Sequence, residues 1–171
     1  MLGIKRFLTS SFGLGWLPIA PGTWGSLGPV GIFALLYYLG VKPGPMRYAM
    51  IIVALLSSII CVLCSPASIK AAGRKDPGEV VVDEAAGQAI TLMFILPSAY
   101  AMPQVAIAAG GSFLLFRLFD IIKPYPCKLL EKFPAGWGIL ADDLMAGLYG
   151  GIVLLLAQVV YLKVSDVTPP A

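Results

Sequence analysis

The strongest chemical signal in this chain is four aspartates, Asp83, Asp120, Asp142 and Asp143, each at or near the edge of a long apolar run. Leaving a carboxylate unpaired in such a place costs several kcal/mol, on the order of a membrane-insertion penalty, so something must offset that cost. Pairing with Arg117, Lys123 or Lys128 would serve one carboxylate; four of them call for more. The chain has no histidine, which excludes Ser-His-Asp triads, phosphohistidine intermediates, His-ligated zinc and Cys-His dyads. Hard divalent cations take oxygen ligands, and Mg2+ is held by one or a few carboxylates together with waters and substrate phosphate oxygens. Mg2+ is therefore the expected ion, and the expected metal set is Asp83, Glu84, Asp142 and Asp143. Adjacent carboxylates point different ways on a helix, so one member of each pair ligates while its neighbour orients water or caps. A cation held there generates a nucleophile from bound water, a route to phosphate ester cleavage that needs no histidine.

Other parts of a phosphate site are present. Arg117, Asp120 and Lys123 recur at spacing three and share a helical face, either as a self-paired ladder or as a clamp that presses a phosphate against a metal. The segment Pro21-Gly22-Thr23-Trp24-Gly25-Ser26 supplies two glycines, two hydroxyls and backbone N–H groups ahead of an expected helix. Gly22, Thr23, Gly25 and Ser26 are its candidate phosphate contacts, although the segment lacks the spacing and lysine of a nucleotide-binding loop. The three cysteines, Cys61, Cys64 and Cys127, fit apolar packing. A cysteine phosphatase loop needs Arg six residues on, where this chain has Ala67, Lys70 and Phe133.

The elements that position these residues are apolar. Of 171 residues 58% are hydrophobic and 12% charged, with a mean hydropathy of +0.88, so a bilayer is the expected solvent for much of the chain. The net charge of +3 comes without a basic stripe, and no nucleic-acid partner is expected. Charged residues are missing from 7–41, 48–69, 85–116 and 144–162. The second and fourth runs match one crossing each. In the first, Gly and Pro leave about 27–41 for an uninterrupted helix; the third is too long for one span, and Pro97 with Pro103 predicts a hairpin of two short helices. The expected architecture is one all-α domain over 1–171, a compact helical bundle with about four to five short transmembrane helices. With five crossings, segments 1–26, 67–84 and 117–143 share the cytoplasmic side and hold nine of the twelve basic residues. The apolar N-terminal segment is interrupted by Gly13, Gly15, Pro18 and Pro21 and lacks an Ala-x-Ala site, so no cleaved leader is expected, and the tail 168–171 is expected to fray.

Four ordered stretches resemble the phosphatidylglycerophosphatase A family. They are Gly13-Leu14-Gly15 through Leu27, Asp76 through Gly87, Phe116 through Pro126, and Gly136 through Gly147. The resemblance implies a Mg2+-dependent lipid phosphatase of the bacterial inner membrane that converts phosphatidylglycerophosphate to phosphatidylglycerol and inorganic phosphate. It places Asp83, Glu84, Arg117, Asp120, Lys123, Asp142 and Asp143 on the family's polar signature positions, with Thr23 and Ser26 on its Gly-rich turn. Ala135 departs from the pattern, standing where a glycine is common. Three other readings compete: a phosphatase for another lipid or prenyl phosphate, a small cation or proton transporter, and a non-catalytic scaffold. Transport predicts acids in the middle of apolar runs and matched halves, and neither is seen.

Overall fold

The computed structural model describes residues 2–97 and 102–165. Asp166 and the tail expected to fray lie outside the described residues. The described chain is helical without a strand: α1 (Leu2–Thr9), a 3-10 turn (Leu14–Trp16), α2 (Pro21–Tyr38), α3 (Pro43–Ala72), α4 (Val82–Leu92), α5 (Met102–Ile122), α6 (Cys127–Leu130) and α7 (Gly136–Val164). By length and composition α3, α5 and α7 are able to cross a membrane. Among the described residues that makes three, against the expected four to five. α4 has 11 residues, about 16 Å at 1.5 Å per residue and roughly half a hydrocarbon core. α2 has 18 residues, and its first half is diluted by Gly, Pro, Thr and Ser.

The break near Pro97 is where the sequence predicts it, between α4 and α5, but α5 is a full-length helix. A second difference is in α2. The Gly-rich stretch from Pro21 is already helix and runs through Pro29. Pro21 sits at the first helical position, where its missing N–H costs nothing. Pro29 forgoes one backbone bond and is retained because α2 packs on α3, α4 and α5. α7 likewise begins upstream of its apolar run, so Asp142 and Asp143 lie in its second turn.

α4 is the axis of the bundle, surrounded by α2, α3, α5 and α7, with nine of its residues buried. Glycine sets the closest crossing. A Cβ on Gly87 of α4 would stand 2.5 Å from the Asp143 carbonyl oxygen, and one on Gly147 of α7 would stand 3.1 Å from Gly87 Cα. Thr91 Oγ1 donates to the Gly147 carbonyl at 3.0 Å across the same contact. Beyond it Phe33, Met46, Met50, Leu92, Ile95, Val105 and Leu154 form an apolar core at the end away from the acids. At the acid end α3 continues past Cys61; α1 docks on that extension through Thr9–Ser68 (2.9 Å) and on the segment between α3 and α4 through a bidentate Arg6–Glu79 pair (2.9 and 2.7 Å).

Candidate active site

Three helices begin at one cavity. Pro21 and Gly22 of α2, Asp83 and Glu84 of α4, and Gly138 and Ile139 of α7 line a space of about 260 Å³, with α5 entering through Asp120. Helix N-termini carry partial positive charge, so this end of the bundle favours anions. The three polar segments of the sequence, around residues 22, 76–84 and 120–143, therefore meet at one end, as the charge pattern predicts. Seven carboxylates line the cavity: Asp76, Asp83, Glu84, Asp120, Glu131, Asp142 and Asp143. Only two ammonium groups, Lys75 and Lys123, oppose them.

The cations are tied to part of this set. Lys123 Nζ donates to Asp142 Oδ2 at 2.6 Å and to Glu131 Oε1 at 2.5 Å. Burial disfavours its charge, but the two carboxylates more than offset that, and its pKa lies above the ordinary lysine value. Lys123 sits just past the end of α5 at φ 47°, with its N–H on the Phe119 carbonyl at 2.8 Å. A lysine in that left-handed position is a strained choice, kept where its side chain reaches across to α7. Arg117 Nη1 lies 2.7 Å from Asp120 Oδ2 and 3.5 Å from Glu84 Oε1. The approach to Asp120 is off the N–H axis, so Nη1 has no aligned acceptor although it is buried. Arg117 and Asp120 do pair along one helical face; Lys123 leaves that face for Asp142. Lys75 Nζ donates to the Glu131 carbonyl and closes the rim.

What remains is a set of crowded, buried carboxyl groups. Asp83, Asp142 and Asp143 are only 4–5% exposed, and Asp83 Oδ1, Glu84 Oε2 and Asp142 Oδ1 are buried without a hydrogen-bond partner. Burial, reinforced by the neighbouring Glu84 charge, raises Asp83 well above the usual carboxylate range. Burial pushes Glu84 up to about 8 against the pull of Arg117. Orphaned carboxylate oxygens on α4 and α7 at one cavity are the donor set a hard cation requires, so the residues present fit Mg2+. Among the described residues no three such side chains stand close enough together to hold a metal ion by themselves. An open site completed by water and phosphate oxygens does not require that.

The Gly-rich stretch behaves differently from the expectation. Gly22 reaches the cavity wall, and a Cβ there would lie 3.1 Å from Arg117 Nη1 and run into the Glu84 carboxylate. Gly25 is pressed against Val81, with a Cβ 2.6 Å from its carbonyl oxygen. Ser26 is fully buried and returns its hydroxyl to the Gly22 carbonyl at 2.9 Å, and Thr23 is not among the cavity residues. With helix formed from Pro21, Thr23, Gly25 and Ser26 fall outside the cavity lining, and Gly22 alone of the four candidates lines it. Asp76, Lys75 and Glu131 line it without having been singled out. Asp76 stands directly before a Pro-Gly turn, and Glu131 lies eight residues past its partner Lys123, a spacing with no helical meaning.

An anion-attracting helix triad, a guanidinium and an ammonium around orphaned carboxylates, set at one end of an apolar bundle, define a helical phosphatase. Comparison with known proteins narrows the class. The family model for phosphatidylglycerophosphatase A matches residues 7–158. A phosphatidylglycerophosphatase A of Haemophilus influenzae is 39% identical over 160 residues, covering 92% of this chain and 91% of that protein. One of Escherichia coli is 34% identical over 150 residues, covering 87% and 80%. A protein of Bacteroides thetaiotaomicron, provisionally named a phosphatidylinositol-3-phosphatase, is 36% identical over 157 residues, covering 87% and 90%. No solved structure matches. The chain belongs to the phosphatidylglycerophosphatase A family.

Proposed function

We propose that this protein hydrolyses phosphatidylglycerophosphate to phosphatidylglycerol and inorganic phosphate, with Mg2+, at the cytoplasmic face of a bacterial inner membrane. The observation that carries the reading is the set of buried, partnerless oxygens on Asp83, Glu84 and Asp142 beside the Arg117 guanidinium, which is ion-paired with Asp120 and Glu84. The substrate identity is supported by the names of the relatives from Haemophilus influenzae and Escherichia coli. The cytoplasmic side is supported by the basic residues of segments 1–26, 67–84 and 117–143.

Asp83 and Asp142, with Glu84 and Asp143 beside them, would hold the cation. Mg2+ bound there supplies positive charge for the phosphoryl oxygens and lowers the pKa of a coordinated water. The rest is positioning and charge stabilisation, which is most of what phosphoryl transfer asks of a protein. Arg117, fixed by Asp120, brings its guanidinium charge to a phosphoryl oxygen. Lys123, braced by Glu131 and Asp142, neutralises a second oxygen. Gly22, lacking a side chain, lets the Glu84 carboxylate and the Arg117 guanidinium close on the start of α2, where the helix end adds favourable potential. The apolar core beyond Gly87 and Gly147 closes the bundle below the acids, which speaks against an ion path and hence against the transporter reading.

Phosphate release by the detergent-purified protein, with Mg2+ and with EDTA, tests the proposal. Phosphatidic acid, phosphatidylinositol 3-phosphate and a soluble phosphomonoester serve as comparison substrates. Selective release from phosphatidylglycerophosphate that EDTA abolishes and Mg2+ restores is expected. Asp83→Asn and Asp142→Asn should each lower kcat by at least 10²-fold at saturating Mg2+. Wild-type-like turnover in both variants would refute the carboxylate assignment. Preference for the inositol lipid would move the substrate to that named for the Bacteroides relative.

A further inference from the structure

A second hollow, of about 290 Å³, lies against the first turns of α2 and α4, on the opposite side of their contact from the acid-lined cavity. No charged residue lines it. Its floor is made by Gly25, Gly28 and Pro29 of α2, Ser57 of α3, and Val82 and Ala85 of α4. Its rim carries Phe12, Ile32 and Leu56, which are exposed. The hollow therefore opens sideways on the flank of α3, a helix apolar and long enough to cross a membrane.

The two spaces share their wall. Gly22 faces the cavity and Gly25 the hollow, one helical turn or about 4.5 Å apart. On α4, Asp83 and Glu84 face the cavity while Val82 and Ala85 face the hollow. The partition is thin because Gly25 has no side chain: a Cβ there would come within 3.2 Å of Glu84 Oε2. A molecule with a phosphate on one side and a hydrocarbon tail on the other matches this pairing of polar and apolar spaces. The glycerol and phosphodiester between terminal phosphate and acyl chains supply the length to pass around the start of α2.

We propose that this hollow is the seat of one fatty acyl chain of the phosphorylated lipid, and that it selects a two-part lipid over a free phosphomonoester. The assignment rests on the phosphatase reading above and deepens it. Gly28 offers a direct test. A Cβ there meets nothing within 4 Å, so a side chain at this position occupies the hollow without displacing protein. Gly31, one turn further along α2, is exposed, also has nothing within 4 Å, and does not line the hollow.

The experiment compares wild type, Gly28→Leu and Gly31→Leu on long-chain (dioleoyl) and short-chain (dibutyryl) phosphatidylglycerophosphate in the same detergent, with thermal unfolding as a folding control. In Gly28→Leu the long-chain to short-chain ratio of kcat/KM should fall at least ten-fold, mainly through the long-chain KM. Gly31→Leu should keep the wild-type ratio. An unchanged ratio in Gly28→Leu, or equal losses on both substrates, overturns the acyl-chain seat while leaving the phosphatase reading intact. Wild-type protein that releases phosphate from neither lipid overturns the phosphatase reading, and the seat falls with it.

Discussion

Replacing Gly87 with alanine tests whether helix spacing, and not carboxylate identity alone, builds the site. The added methyl would lie 2.5 Å from the Asp143 carbonyl oxygen, 2.5 Å from the Phe116 ring and 3.0 Å from the Asp143 carbonyl carbon. Ordinary contact begins near 3.4 Å, so α4 and α7 must part by about 0.9 Å. Phe116 is fully buried and cannot swing clear, so the movement falls on the backbone of Asp143, itself a site residue. Overpacking of this kind costs about 1–3 kcal/mol, of which alanine's better helix propensity returns roughly 1 kcal/mol. The protein should stay folded, melting a few degrees lower. Catalysis should suffer more, because a shift near 1 Å in a reacting constellation costs about 10²-fold. The assay is phosphate release from phosphatidylglycerophosphate at saturating Mg2+, beside thermal unfolding in detergent. Gly151→Ala is the control: its methyl meets the Phe94 side chain further along α7, so it should lower stability while leaving kcat within two-fold. If Gly87→Ala turned over within two-fold of wild type, or if Gly151→Ala lost as much activity as Gly87→Ala, the reasoning would be refuted.

Three further outcomes follow from other contacts. Lys123→Ala removes the shared donor of two charged bonds of 2.5 and 2.6 Å and should lower kcat at least 10²-fold; Lys123→Arg, with a planar fork in place of a point charge, should not restore it. The bonds from Arg6, against a smaller opposing effect of burial, hold Glu79 below the ordinary glutamate value of 4.5. A depressed carboxylate contributes stability above that value and loses it as pH falls through the folded-state pKa, so the melting temperature should drop more steeply below pH 4.5 in wild type than in Glu79→Gln, as read from melting curves between pH 3 and 7. Ala135 precedes α7 at φ 52° and ψ −136°, a conformation that costs a residue with a side chain about 1–3 kcal/mol; Ala135→Gly should raise the melting temperature by several degrees with unchanged kcat.

The sequence shows the gathering of charge more clearly than the shape of the elements that gather it. Asp83, Glu84, Arg117, Asp120, Lys123, Asp142 and Asp143 all come to one end because carboxylates beside apolar runs have few places to go, and that constraint is written in residue type. The partners of Lys123 are not: Glu131 and Asp142 reach it from an irregular segment and from another helix, and no periodicity connects them. The Gly-rich stretch misleads for a related reason. Gly and Pro lower helix propensity by amounts that tertiary packing readily exceeds, and in α2 the absence of side chains at Gly22 and Gly25 is what lets Glu84 and Val81 approach. Ala135 is the converse case. Its departure from the resemblance is visible in sequence, and its backbone angles are ones that glycine adopts without strain.

The length of α4 connects these observations. A helix crossing the whole bilayer would bring its first turn to the headgroup level, where water satisfies its N–H groups. α4 starts instead at the level of Cys61, midway along α3, with Val80, Val82, Ala86, Ile139 and Leu140 packed about that point. Its positive end is thereby buried, and Asp83 and Glu84 in its first turn balance it. Gly87 follows Asp83 by four residues, as Gly147 follows Asp143, so each contact glycine shares a helical face with an acid one turn nearer the cavity. Two helices that touch through those glycines must bring those acids together. The glycines set how close the carboxylates lie, and the short helix sets how deep. The crowding of carboxyl groups that results is what a bound cation would relieve.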